Sequence, residues 1–230
     1  GLEGNGANLE FRRQEAFHLN RLGRVDEAIV KLEALLEDYP NDSETVAYLA
    51  RIYKDTWTHS WNWVQDSERR LKTAFESYHW LIKAFDTYVK GYRIDLNQYY
   101  PGVNAVTLGS ILIHLADRFD DTDDPDPDIL EIRETLPDLR GALEFALESL
   151  SENENVDYWT LVSLAELRLL TSPSTKGVTR AYRKSLIASR RNQFFLQSSL
   201  GQLEMLKSLE IRPEFVQAGI DVSLPRKSGQ

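Results

Sequence analysis

The sequence predicts an all-α fold in which antiparallel helix pairs stack into a right-handed superhelical array. Few segments alternate apolar with polar residues, and only 12 glycines and 8 prolines interrupt the 230 residues. Small and large side chains also recur 34 residues apart, from Ala16 and Leu19 to Ala50 and Tyr53. We therefore expect about four helix pairs followed by a capping helix, because a single pair cannot bury its apolar face alone.

The first pair has the clearest pattern. Its packing residues are separated by 3, 9, 4, 3 and 5 positions, which are the separations found in a tetratricopeptide repeat: Ala16, Leu19, Ala28, Leu32, Leu35 and Pro40. Gly23 suits the turn between the two helices, since a positive φ costs little only for glycine. Pro40 ends the second helix.

The second pair opens with a helix over residues 46–54. Its partner helix resumes near Ala74, after an insertion of about twelve residues that holds three of the five tryptophans, Trp57, Trp61 and Trp63. With His59 and His79, these rings suggest either an aromatic cage for a ligand or a segment that packs over the repeat junction. We favour packing, because large aromatic side chains in an insertion are usually buried.

The remaining elements follow in order. A third pair begins after Pro101 and Gly102, and its partner resumes at Ala142 after the acidic segment 120–128. A fourth pair covers residues 158–170 and 177–189, and residues 194–209 form the capping helix. The predicted organisation is a flexible N-terminal segment or cloning remnant (1–9), a repeat domain (10–210) and a C-terminal tail (211–230).

Composition excludes several classes of function. The formal net charge of −9 disfavours nucleic acid as a partner, and the absence of cysteine excludes disulfides and thiolate chemistry. No apolar run approaches the roughly 20 residues of a membrane span, and the N-terminus does not have the pattern of a secretory signal. We expect a cytoplasmic protein with no membrane partner.

Two short motifs resemble a known family. Residues 50–55 (ARIYKD) are followed by residues 100–104 (YPGVN), and both motifs resemble the TRAF-binding domain of the apoptosis signal-regulating MAP kinase kinase kinases, which also occurs in bacterial proteins. The similarity covers residues 10–210, and Val106 departs from the small residue of the family pattern. The resemblance implies a divergent tetratricopeptide array that acts as a regulatory signalling scaffold beside an effector domain.

Asn104 is the first candidate for a partner-binding residue. Its amide can hold a peptide backbone or a terminal carboxylate, or it can brace the neighbouring helix pair, and both interpretations stay open. The other candidates for partner binding come from the two motifs and the next helix: Tyr100, Lys54, Asp55, Arg51 and Arg93.

Metal and catalytic sites have little support in the sequence. The aspartates of segment 120–128 lack the central glycine and the correctly spaced glutamate of an EF-hand, so a solvated linker is favoured over a calcium site. The four histidines never occur at metal-ligand spacing, and no serine lies in a nucleophile-elbow sequence. We expect no enzyme activity, no cofactor and no metal.

A basic cluster lies in the fourth pair and the turn after it: Arg180, Arg183, Lys184, Arg190 and Arg191. It suits an acidic partner segment or RNA, but a solubilising surface is the favoured interpretation. The sequence as a whole predicts a non-catalytic protein–protein interaction scaffold that binds a partner peptide or domain on a concave surface. The alternative is a small-ligand or nucleotide sensor that controls an attached effector. The partner's identity and the oligomeric state are left open.

Overall fold

The computed structural model describes residues 2–122, 124–190 and 192–224, with side chains from residue 8 onward. These residues form α-helices and connecting turns without a β-strand, which confirms the predicted all-α class. They divide into two compact units, with the boundary between Leu130 and Glu131. The assignment of residues 10–210 to one repeat domain stays a prediction.

The N-terminal unit contains six complete helices. They are α1 (Leu2–Arg21), α2 (Val25–Asp38), α3 (Ser43–Trp61), α4 (Ser67–Glu76), α5 (Tyr78–Ile94) and α6 (Tyr99–Phe119). The helices pack in sequence, α1 on α2, α2 on α3, α3 on α5 and α5 on α6, while α4 lies against α3 and α6. Each helix thus covers the apolar stripe of its neighbour, as a repeat array requires.

The first helix pair agrees with the tetratricopeptide spacing. Ala16 and Ala28 are fully buried, and Leu19, Leu32 and Leu35 join them in the core. Gly23 has a φ of +77° in the turn between α1 and α2, so the predicted role of this glycine is confirmed.

The second pair differs from its prediction. The tryptophan-containing insertion is largely helical, because α3 continues to Trp61 and buries both Trp57 and Trp61. The indole N–H of Trp57 donates to the carbonyl of Ala74 at 2.9 Å, which ties the end of α3 to α4. Burial of two large rings stabilises the extra helical turns, and the packing interpretation is correct for these rings. The partner helix is divided at Ser77 into α4 and α5.

Three helices of the N-terminal unit converge at Gly91. A Cβ atom at this position would lie 3.3 Å from Val46 Cγ1 on α3 and 3.5 Å from Pro101 Cβ on α6. Glycine therefore allows α5 to approach α3 and α6 at the same time. This close approach brings both helices that carry the two sequence motifs against α5.

The C-terminal unit is built from α7 (Pro127–Ser151), α8 (Tyr158–Thr171), α9 (Thr175–Ala188), α10 (Gln193–Ser208) and α11 (Pro213–Ser223), where α7 begins just before the boundary. The helices α8 and α9 form the predicted fourth pair. The predicted capping helix corresponds to α10, but α11 is the helix that packs on both α9 and α10. None of the described helices is both long and apolar enough to cross a membrane.

Both ends of the chain differ from the sequence prediction. Residues expected in a C-terminal tail form α11, which has Pro213 at its start and buries Val216 and Ile220 four residues apart, the spacing of one helix face. At the other end α1 begins at Leu2, within the segment predicted to be flexible. A helix extends at little cost once its first turn is nucleated. Residue 1, the side chains of residues 2–7 and residues 225–230 lie outside the described part of the chain.

Candidate functional site

Polar side chains from three neighbouring helices meet in the N-terminal unit. We call this group the α3–α6 cluster. Its members come from α3, α5 and α6: Arg51, Lys54, Asp55, Tyr88, Tyr100 and Asn104. Because α3 and α6 both pack on α5, residues from two motifs about fifty positions apart reach the same place.

Asn104 joins α3 to α6. Its side chain is 7% exposed, and its Oδ1 accepts a hydrogen bond from Lys54 Nζ at 3.1 Å. Its Nδ2 donates to the carbonyl of Tyr100 at 3.0 Å. The amide thus has a protein partner on both sides and acts as a brace, while the Lys54 ammonium, with three N–H groups, keeps donors for another acceptor.

Asp55 is the carboxylate of the cluster. Its Oδ2 lies 3.8 Å from Arg51 Nε, and its carbonyl meets His59 Nδ1 at 2.6 Å. Burial raises the pKa of Asp55, and the positive charges of Lys54, Arg51 and His59 oppose this rise. Two permanent cations therefore surround one carboxylate, which leaves the cluster with a net positive charge.

Tyr88 forms the buried floor of the cluster. The residue is fully buried, and no described protein group meets its hydroxyl at hydrogen-bonding geometry. Its ring lies edge-on to that of Tyr100, with 6.1 Å between centroids. Burial raises the pKa of Tyr88 well above its ordinary value, and Tyr100 and Asp55 add to this effect. The hydroxyl stays neutral and keeps a proton that it can donate.

The structure brings together five of the six residues proposed from the sequence. The exception is Arg93, which is exposed in the last turn of α5 and makes no hydrogen bond or ion pair to the cluster. Sequence reasoning missed Tyr88, because a tyrosine on the apolar stripe of a helix has the same pattern as a core residue. Only the packing of α3 and α6 around it distinguishes its hydroxyl.

The other sequence candidates lie elsewhere. In the acidic segment Asp126 accepts a hydrogen bond from the Tyr78 hydroxyl at 2.6 Å, and Asp123 is outside the described residues. Within the residues that the structure describes, no three His, Asp or Glu side chains gather as a metal site would require. The basic cluster lies mainly on α9, and its Arg191 is also outside the described residues.

A comparison with protein families finds a match in the N-terminal part of the chain. Residues 2–109, slightly less than half of the chain, match the Tetratricopeptide Repeats-Sensor family. Among curated proteins no sequence matches. The family match and the helix packing agree on a tetratricopeptide-like helical domain of the interaction or sensing class. The matched range contains every residue of the α3–α6 cluster. The resemblance to the TRAF-binding domain stays a prediction.

Proposed function

We propose that the N-terminal unit is a non-catalytic interaction domain that binds a carboxylate of a partner protein at the α3–α6 cluster. The observation that carries this proposal is the Lys54–Asn104 hydrogen bond of 3.1 Å, which holds a cation in a cluster that also contains a buried hydroxyl without a hydrogen-bonding partner among the described protein groups. Because Asn104 fixes the position of the ammonium, the site is organised before a ligand arrives.

The chemistry of the cluster suits a single anionic group. Lys54 offers its remaining N–H donors, and the Arg51 side chain is exposed and held only at 3.8 Å by Asp55, so its guanidinium can turn toward a ligand. Tyr100 is 47% exposed, and its ring provides an apolar wall for the residue that carries the carboxylate. A C-terminal carboxylate or an Asp or Glu side chain of a peptide has the required charge and size.

The proposed context is regulatory. The motifs that resemble the TRAF-binding domain supply both sides of the cluster, which supports a scaffold role in cytoplasmic signalling. A TRAF-like partner is one member of the proposed class, and a bacterial relative would require a different protein with the same carboxylate chemistry.

A peptide array with matched termini tests this function. Each peptide is printed once with a free C-terminal carboxylate and once amidated, and a second set replaces internal Asp and Glu by Asn and Gln. We expect the purified chain to prefer acidic forms, and Lys54→Met to weaken their binding by about tenfold or more, since charge-assisted hydrogen bonds contribute about 1.5–3 kcal/mol.

Lys90→Met is the matched control for this experiment. Lys90 is an exposed lysine on α5 outside the cluster, so its removal changes the net charge equally. Binding that is insensitive to amidation and to the acid replacements, or that falls equally in both lysine variants, would refute the carboxylate site. Circular dichroism spectra of the variants show whether the fold is retained.

A small-ligand sensor is the second candidate. Two observations favour it: Tyr88 is fully buried, and the matching family is described as a sensor. A thermal-shift screen of nucleotides and small organic acids would detect such a ligand, because binding to the folded state raises Tm. Lys54→Met should abolish the shift, and chromatography should recover the ligand unchanged if the domain is non-catalytic.

A further inference from the structure

The exposed face of α9 in the C-terminal unit carries four cations: Lys176, Arg180, Arg183 and Lys184. None of them has an ion-pair partner among the described residues. They line a shallow groove of about 510 Å³ that runs along the helix to Ile187, whose side chain is 79% exposed.

A complementary face exists on α7 of the same unit. Glu134 and Asp138 are exposed and have no ion pair within the described range. Phe145 follows on the same face and is 79% exposed. The helix continues through Pro137, so these three residues belong to one element.

The two faces share one register. Glu134, Asp138 and Phe145 are spaced by 4 and 7 residues, and Lys176, Arg180 and Ile187 have the same spacing. With a rise of about 1.5 Å per residue, the second and third positions lie about 6 Å and about 16 Å from the first position along the axis of each helix. Parallel alignment therefore places each carboxylate opposite a cation and Phe145 opposite Ile187.

We propose that α7 of one copy of the chain docks along α9 of a second copy in this register. The paired charges set the register and the orientation, while Phe145 and Ile187 bury apolar surface at one end. A second copy explains both unpartnered faces at once, whereas a foreign acidic helix would account for α9 alone. Nucleic acid fits less well, since Glu148 and Glu152 line the neighbouring groove that also includes Arg180 and Lys184.

Sedimentation velocity of the full chain over a range of concentrations tests the proposal. We expect wild-type chain to self-associate, with weaker association at high salt because the charges are exposed. Asp138→Arg and Arg180→Asp should each weaken association by about tenfold or more, since each places like charges opposite one another. Lys90→Asp changes an exposed lysine of the other unit and serves as the control that retains association.

Mixing the two reversed variants provides the decisive measurement. The Asp138→Arg chain and the Arg180→Asp chain should associate with each other more strongly than either associates with itself, because the mixture restores opposite charges between positions 138 and 180. A wild-type chain that stays monomeric at the highest concentration overturns the proposal, even if it binds polyglutamate or duplex DNA. Association that both reversals leave intact also overturns it.

Discussion

Replacement of Tyr88 by phenylalanine separates the stability of the N-terminal unit from its proposed function. The Tyr88 hydroxyl is buried without a hydrogen-bonding partner among described protein groups. A buried hydroxyl of this kind destabilises the folded state, because on folding it loses its hydrogen bonds to water and gains no equivalent hydrogen bond within the protein. Tyr88→Phe removes the hydroxyl and keeps the ring, so the variant should be more stable than the wild type and should bind its ligand less well.

The magnitude follows from two opposing contributions. An unsatisfied buried hydroxyl costs about 1–3 kcal/mol. Removal of one oxygen leaves a cavity of about 10 Å³, which costs roughly 0.2 kcal/mol. The net gain is therefore about 1–3 kcal/mol, and for a chain of this length each kcal/mol raises Tm by about 2–4 °C.

Urea denaturation followed by circular dichroism measures the change in the free energy of unfolding. Tyr182→Phe is the matched control, because Tyr182 in the C-terminal unit is also buried and its hydroxyl also has no described partner. Both variants should gain stability in their own units. Only Tyr88→Phe should weaken binding of the acidic peptides or small ligands selected in the screens, by about fivefold or more.

Two results would refute the reasoning. If Tyr88→Phe destabilises the chain while Tyr182→Phe does not, the Tyr88 hydroxyl already makes a favourable interaction in the unliganded protein. If binding is unchanged in Tyr88→Phe but lost in Lys54→Met, the ligand contacts the cations and does not reach the buried hydroxyl.

Two further substitutions test the electrostatics of each unit. Burial raises the pKa of Asp55 above its ordinary value of 3.8, so the folded state binds a proton at Asp55 more tightly than the unfolded state does. The free energy of unfolding therefore falls as the pH rises from below 3.8 to above the pKa of Asp55 in the folded state. Asp55→Asn should therefore increase the free energy of unfolding at pH 7 and have little effect near pH 3, and equal effects at both pH values in urea titrations would contradict this. In the C-terminal unit Arg212 donates to the carbonyls of Leu169 at 2.8 Å and of Ser172 at 2.6 Å, at the end of α8. Arg212→Ala should lower the free energy of unfolding by about 2 kcal/mol, whereas Arg69→Ala on the exposed surface of α4 should change it by less than about 0.5 kcal/mol, and a similarly small effect at Arg212 would refute the capping role.

The first two helix pairs of the N-terminal unit differ in how closely they follow the tetratricopeptide spacing. The first pair follows its spacing closely, since Ala16, Ala28 and Gly23 each have one conformational or packing role that local sequence specifies. The second pair departs from the spacing because Trp57 and Trp61 find room in the core and extend α3. The structure of this insertion is therefore determined by the burial of two large aromatic rings and not by the repeat spacing.

The sequence by itself determined the helical class, the first and fourth pairs, and two motifs that supply most of the α3–α6 cluster. These features depend on periodicity, small residues and turn residues, all of which act over a few positions along the chain. Only the tertiary structure decided that α11 packs where a tail was expected, that Arg93 lies apart, and that Lys54 on α3 bonds to Asn104 on α6. These outcomes depend on contacts between residues up to fifty positions apart, and a pattern within one helix does not specify which neighbour its polar groups will meet.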